Sequence, residues 1–426
     1  MKQKQIELFL MQALVACVAC IIMAQMLGIS IISTVAFYMT FPLTVALWVW
    51  TMRRGVTKLD YLAVAAVALA AICVLLDLWR NEGRLTLDYP KKLIMFAMTV
   101  IFLSTADRVR PGDRLSRFTQ VVVDGLTVLM TVMLFLAYDR MHLISGKVTR
   151  YLTLGFSNPN ALALFVTCMY MLTFCALLKK QSLKQRYFRV AVLTAQIFIL
   201  LGSRSRNGLM VSILFTVAAL AVLYREKIKT LTGFTIKMRF RLWQAVVIAV
   251  FPMAFAMIYM AIVDAEWVEK LFSFMISEGK GLNSRVKEWL PAFEAIKASP
   301  LIGAYYGISG GTGSSQLHNT LADTAASYGV PVLILVSAML THCIHQKGKE
   351  YTQKESFLYM GAFCCAMLVG TFEAAIFSGG QGIYVFVAIL LIMSKNASDE
   401  ESDDGWYRVG QSVKRITASA AKCFKK

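Results

Sequence analysis

Runs of uncharged, mostly apolar residues alternate with short polar connections along nearly the whole of this 426-residue chain. Each run is about 15 to 20 residues long, close to what a helix rising ~1.5 Å per residue needs to cross a ~30 Å hydrocarbon core. Twelve spans are predicted, at 8–27, 31–51, 61–79, 93–105, 119–138, 160–178, 188–202, 207–224, 243–263, 319–341, 356–371 and 382–394. The fourth is short for a full crossing. The first follows Lys2 and Lys4, but its apolar run is too long for a cleaved signal and no small-residue cleavage site follows, so it reads as a retained anchor.

Composition agrees with an all-α, polytopic membrane protein. Apolar residues make up 58% of the chain, charged residues only 16%, and the mean hydropathy is +0.61. With the N-terminus inside, 30 of the 44 Lys and Arg fall in inner segments and 14 in outer ones, which places both termini in the cytoplasm. The net charge of +19 then reads as attraction of inner loops, such as 179–189 and 225–241, to anionic lipid head groups, or simply as the determinant of topology. Nucleic acid is a poor explanation for it. None of the nine cysteines falls in a predicted outer loop, so no disulfide framework is expected. Cys17 and Cys20 form C-x-x-C in mid-membrane, where a thiolate is disfavoured, and no spacing in the chain suggests a zinc site.

No internal repeat is evident, which weighs against transporters built from duplicated halves. Residues 1–395 read as one membrane domain, and its connections are uneven. The outer one at 264–317 is the longest, and loops of that length are usually functional or disordered. Val286, Trp289, Phe293 and Ile296 recur there at helical spacing, predicting an amphipathic helix packed at the membrane mouth, which Pro291 should start or kink. The tail at 396–426 is acidic from Asp399 to Asp404, then amphipathic and basic. It reads either as a helix on the inner leaflet or as a solvated, disordered segment.

Three arginines stand at predicted outer helix ends, against the positive-inside bias: Arg204 and Arg206 between spans seven and eight, and Arg285 in the long loop. A guanidinium grips phosphate oxygens in a bidentate fork, so such arginines converging at one cavity form a diphosphate clamp. The plainer account is a salt bridge to a neighbour such as Glu288 or Asp264, or contact with lipid phosphate. His318 lies where the Gly-rich loop enters span ten. An imidazole there can take a proton from a sugar hydroxyl near neutral pH, or it can merely cap a helix, a role open to Asn319 as well. Asp323 lies about 140° around the helix from His318 and is no obvious orienting partner. Glu373 is a second outer carboxylate of interest. Glycines 303, 307, 310, 311 and 313 have no G-K-[ST] ending, so the loop is not a P-loop and its glycines serve flexible positioning.

Ser205-Arg206-Asn207-Gly208 at a helix start, Asn283-Ser284-Arg285 followed by Glu288-Trp289 and Ser299-Pro300-Leu301-Ile302-Gly303, and His318-Asn319-Thr320-Leu321 followed by Gly329-Val330 resemble the shared core of the O-antigen ligase and O-antigen polymerase superfamily. The turn Gly155-Phe156-Ser157-Asn158-Pro159-Asn160 is similar to one in the same proteins. The likeness is closest over 150–345 and extends to the whole chain in span count and long outer loop.

That resemblance implies a C-type membrane glycosyltransferase at the outer face of the cytoplasmic membrane, using an undecaprenyl-diphosphate-linked oligosaccharide donor without metal, cofactor or nucleotide sugar. It assigns catalytic roles to Arg206, Arg285 and His318, with Arg204 open as the alternative to Arg206. Asn319, Asn158, Asn160 and Glu373 join them as substrate-binding candidates. The acceptor is a lipid-linked glycan for a polymerase, or lipid A core or another terminal acceptor for a ligase. Similarity of the Asn-Pro-Asn turn favours polymerase. A flippase and a chain-length regulator are the protein partners this implies, beside membrane lipids. A polysaccharide exporter or flippase is a third reading, but it should carry cations deep in several spans, where this chain has few charges.

Overall fold

The computed structural model describes residues 2–80, 88–109, 113–136, 143–144, 147–148, 152–156, 159–179, 181–235, 241–262, 283–304, 319–349, 354–371, 376–377 and 383–394. For 2–3, 88–91, 143–144, 147–148, 262, 283–288, 383–384 and 391 the description is of the backbone alone. The expected amphipathic tail, Asn158, His318 and Glu373 lie outside the described residues.

The apolar runs fold as helices. In chain order these are α1 (Lys2–Met26), α2 (Ser30–Met52), α3 (Lys58–Arg80), α4 (Asp88–Ser104), α5 (Asp113–Leu136), α6 (Pro159–Leu177), α7 (Leu183–Ser203), α8 (Arg206–Leu223), α9 (Arg225–Thr232) and α10 (Leu242–Ile262). They continue with α11 (Asn283–Ala298), α12 (Thr320–Tyr328), α13 (Val330–Lys349), α14 (Lys354–Val369) and α15 (Ile383–Met393). Two two-residue strands, β1 (Leu143–Ile144) and β2 (Lys147–Val148), pair antiparallel between α5 and α6. Among the described residues nine helices are long and apolar enough to cross a membrane: α1, α2, α3, α5, α6, α7, α8, α10 and α13. Large apolar side chains such as Leu75, Phe135 and Phe198 stand exposed on them, a surface suited to lipid rather than water. The chain is a multi-pass helical membrane protein.

Three other predicted spans fall in α4, α14 and α15, helices of 17, 16 and 11 residues. The tenth differs from expectation. The run 319–341 is broken at Gly329, whose φ of 87° ends α12 after nine residues, and the membrane-length helix is α13, at 330–349. The amphipathic helix of the long connection forms as α11, but Pro291 sits inside it instead of starting it. Packing on both sides of the proline accounts for this: Trp289 is buried against Phe255 and Tyr259 of α10, and Ala292 against Ala322 and Ala326 of α12.

The centre of the bundle is α6. Every residue from Leu162 to Ala176 is buried, and α5, α7, α8, α14 and α15 surround it. Its polar residues find partners across those contacts. The Gln196 amide donates to Thr127 (2.9 Å) and Thr173 (3.2 Å), joining α5, α6 and α7, and Tyr170 shares a hydrogen bond with Thr216 of α8 (2.6 Å).

At the end of the bundle where the chain begins, buried ions tie the helices together. Asp60 accepts from Arg108 Nη2 (2.7 Å), Trp48 Nε1 (2.8 Å) and the Thr57 amide (2.7 Å), and Arg54 pairs with Glu7. Lys347 of α13 approaches Asp107 at 3.8 Å. Side chains this deep are tolerated because each charge meets its opposite and the remaining polar atoms are largely hydrogen-bonded.

Candidate functional site

The opposite end of the bundle is organised by three carbonyls. The last C=O groups of a helix have no partner within it, and at the end of α14 they are satisfied from two distant segments. Asn207 Nδ2 donates to Val369 O (3.2 Å), the Thr320 amide to Gly370 O (2.8 Å), and Asn319 Nδ2 to Thr371 O (3.1 Å). Gly370 is required here, since a Cβ would stand 2.9 Å from Thr320 Oγ1. The starts of α8 and α12, and so the segments holding Arg206 and Asn319, are thereby brought to one place.

Asn319 caps α12. Its backbone is extended, and Oδ1 accepts from the amides of Leu321 (3.2 Å) and Ala322 (2.9 Å). Its Nδ2 also donates to Pro252 O (2.7 Å). Pro252 lies ten residues from either end of α10, about 15 Å along the helix. The cap is therefore sunk to the middle of α10, and the half of α10 beyond it, joined by Trp289 of α11, forms a wall above. Asn319 is wholly buried with both polar atoms of its amide engaged inside the protein, the arrangement of a structural anchor. The capping role considered for His318 belongs to its neighbour.

Arg204 and Arg206 stand on the rim of this recess, both exposed. Arg204 closes α7 in the left-handed region, φ 51° and ψ 21°, which is uncommon for a residue with a Cβ. Arg206 is the first residue of α8, and the Ser205 side chain makes no capping bond to the N–H groups of that turn. Among the described residues neither guanidinium has a hydrogen-bond or ion-pair partner. Asn207 Oδ1 is buried next to them without a hydrogen bond. Two cations and a helix start in one rim favour an anion.

Two loops brace this end of the bundle. Residues 299–304 fold against the α12–α13 break: the Ala304 amide donates to Ala326 O and the Val330 amide to Pro300 O, both at 2.8 Å. The 152–156 segment is wedged between the ends of α1 and α7. The Leu152 amide donates to Gly202 O (3.0 Å), and a Cβ on Gly155 would stand 2.4 Å from Gln25 O. This loop leads directly to the Asn158-Pro159-Asn160 turn, of which Asn160 is half-buried in the first turn of α6.

Of the residues expected at the site, Arg204, Arg206, Asn319 and Asn160 are described, and the starts of α8 and α12 bring Arg206 and Asn319 to the same end of α14. Arg285 falls in the first turn of α11, one turn before Trp289, with its backbone described. Sequence reasoning passed over Asn207 and Lys92. Asn207 lay inside a quoted motif, whereas Lys92, which donates to Asp323 Oδ1 (3.0 Å) and Ser327 Oγ (2.8 Å) of α12, had no signal beyond being a cation on the wrong side of the charge bias. Among the described residues no group of three or more His, Cys, Asp or Glu is placed to hold a metal ion.

The fold thus defines the class, a polytopic helical membrane protein. No protein-family model matches the chain, and neither does any curated protein sequence.

Proposed function

We propose that the protein is a membrane glycosyltransferase of the O-antigen or capsule polymerase type. It takes glycan from an undecaprenyl-diphosphate carrier at the outer face of the cytoplasmic membrane and passes it to a hydroxyl of another lipid-linked glycan. The observation that carries this reading is the convergence of the Arg206-Asn207 and Asn319-Thr320 segments on the last carbonyls of α14. Arg206 thereby shares one end of α14 with Asn319, the residue that follows His318 in the chain.

In the reaction the acceptor oxygen attacks the anomeric carbon, the bond from that carbon to the diphosphate breaks, and the bonding pair leaves with the phosphate oxygen. Arg206, with Arg285 from α11, neutralises the charge that grows on the leaving diphosphate, the largest expected contribution to rate. His318 takes the proton from the acceptor hydroxyl. The wall of α10 and α11 holds water back from the sunken floor. Transfer to lipid A core, as in a ligase, uses the same groups and differs only in the acceptor. Product analysis separates the two: a ladder of lengthening lipid-linked glycan marks a polymerase, and a single addition to lipid A core marks a ligase.

The test is transfer from undecaprenyl-diphosphate-linked glycan by protein purified into lipid nanodiscs. Wild type should transfer, and His318→Asn should turn over about 10²-fold more slowly with an unchanged melting temperature. Absence of transfer by the wild type, or a near-normal rate in folded His318→Asn, ends the reading.

A further inference from the structure

Lys92 stands near the start of α4, at the end of the bundle where the charge bias leaves few cations. Its ammonium reaches across to α12 and donates to Asp323 Oδ1 at 3.0 Å and to Ser327 Oγ at 2.8 Å. Asp323 and Ser327 are four residues apart on α12, on one face, so a single group holds both. The Asp323 carboxylate is 1% exposed and the Lys92 side chain 16%, so the pair is almost fully withdrawn from solvent.

A buried ion pair is seldom the most stabilising choice at such a place, because desolvation opposes the Coulomb attraction and apolar residues of similar volume often do as well. What the pair adds is direction. With nine residues, α12 is too short to hold a helix by itself. Its ends are fixed by Asn319 and by the backbone contacts at Gly329. Beside the packing of Ala322 and Ala326 on Ala292, Lys92 adds a charge that accepts only one face of the helix.

We propose that Lys92 is a positioning residue: by gripping Asp323 and Ser327 it holds the rotation of α12, and with it the placing of its Asn319 end against the end of α14 that Asn207 also meets. The catalytic consequence rests on the glycosyl-transfer reading, whereas the tether itself does not. Neither Lys92 nor Asp323 touches the reacting atoms.

The experiment uses full-length protein in nanodiscs and the double variant Lys92→Met/Asp323→Leu, which removes both charges without leaving either unpaired, with Lys92→Arg as the conservative control. Hydrogen exchange of residues 319–328 should accelerate at least about tenfold in the double variant and remain as in wild type in the control. Transfer from the lipid-diphosphate donor should slow by about 10- to 100-fold while the donor KM stays within about twofold, since the phosphate-binding arginines lie on other helices. Exchange at the wild-type rate in the double variant overturns the tether. Faster exchange with undiminished turnover overturns the positioning role. Faster exchange alongside a wild type that transfers no glycan retains the tether and discards the glycosyl-transfer reading.

Discussion

Gly303 and Gly329 meet backbone to backbone across the entry to α13. Both have left-handed φ angles, 72° and 87°, and a Cβ on Gly303 would lie 2.7 Å from the Ser327 carbonyl and 2.8 Å from the Gly329 nitrogen. A Cβ on Gly329 would lie 2.3 Å from Leu301 O. Two motifs separated in the chain are therefore one joint in space, and that joint ends α12 on the side away from Asn319.

Alanine at either glycine is expected to destabilise the protein by about 1–3 kcal/mol or more, because strain in φ adds to a clash with backbone that has no rotamer to change. Gly125 and Gly361 are the controls. Each lies within a helix with no atom within 4 Å of a built Cβ, so alanine there should be neutral or stabilise by about 0.5–1 kcal/mol. Thermal melting in detergent decides it, and equal losses at all four sites would remove the argument for the joint.

Asn319→Asp separates the two jobs of that side chain. A carboxylate still accepts from the Leu321 and Ala322 amides and suits a helix start, so a residue needed only as a cap would tolerate the change or gain from it. The carboxylate cannot donate to Pro252 O and Thr371 O. We expect a loss of about 1–3 kcal/mol in melting experiments, from two buried carbonyls left facing an acceptor. An unchanged melting temperature would mean that the link from α12 to α10 and α14 is not carried by this amide.

Arg204 and Arg206 are separated by their backbones. Arg204→Gly should raise stability by about 0.5–1 kcal/mol by releasing the left-handed strain at the end of α7. If Arg206 is the residue that meets the diphosphate, the same variant keeps most of its transfer activity, while Arg206→Lys, retaining charge but losing the planar fork, falls by about 10²-fold. Loss of transfer in Arg204→Gly with Arg206→Lys intact would reverse the assignment.

Much of this architecture was legible because lipid imposes a simple rule on sequence: the long apolar runs became helices with ends close to those expected. The errors came where distant backbone intervenes. Nothing near Gly329 in the chain announces that Leu301 O will press against it and split the predicted span. Pro291 was expected to start or kink a helix rather than sit in its middle, yet Trp289 and Ala292 are held by α10 and α12 on either side, and tertiary packing carries the helix through it. At the recess, Arg206 and Asn319 stood out by residue type and sidedness. The contacts that unite them bridge 162 residues from Asn207 to Val369 and 52 from Asn319 to Thr371. Lys92 and Asp323 are 231 residues apart; Asp323 was weighed only against His318, and Lys92 was not singled out at all.

The enclosure of α6 bears on how the molecule is made. This helix enters the bilayer early, with lipid as its first neighbour, yet α8, α14 and α15 all lie against it in the finished protein, and α15 ends at Met393. Its lipid sheath must be exchanged for protein in stages, the last of them only once α15 has been made. A chain stopped after α13 should leave one side of α6 in contact with lipid and open to a membrane-soluble thiol reagent at Cys168 or Cys175, which the complete protein shields. Equal labelling of the two chains would show that α6 is closed off earlier in synthesis.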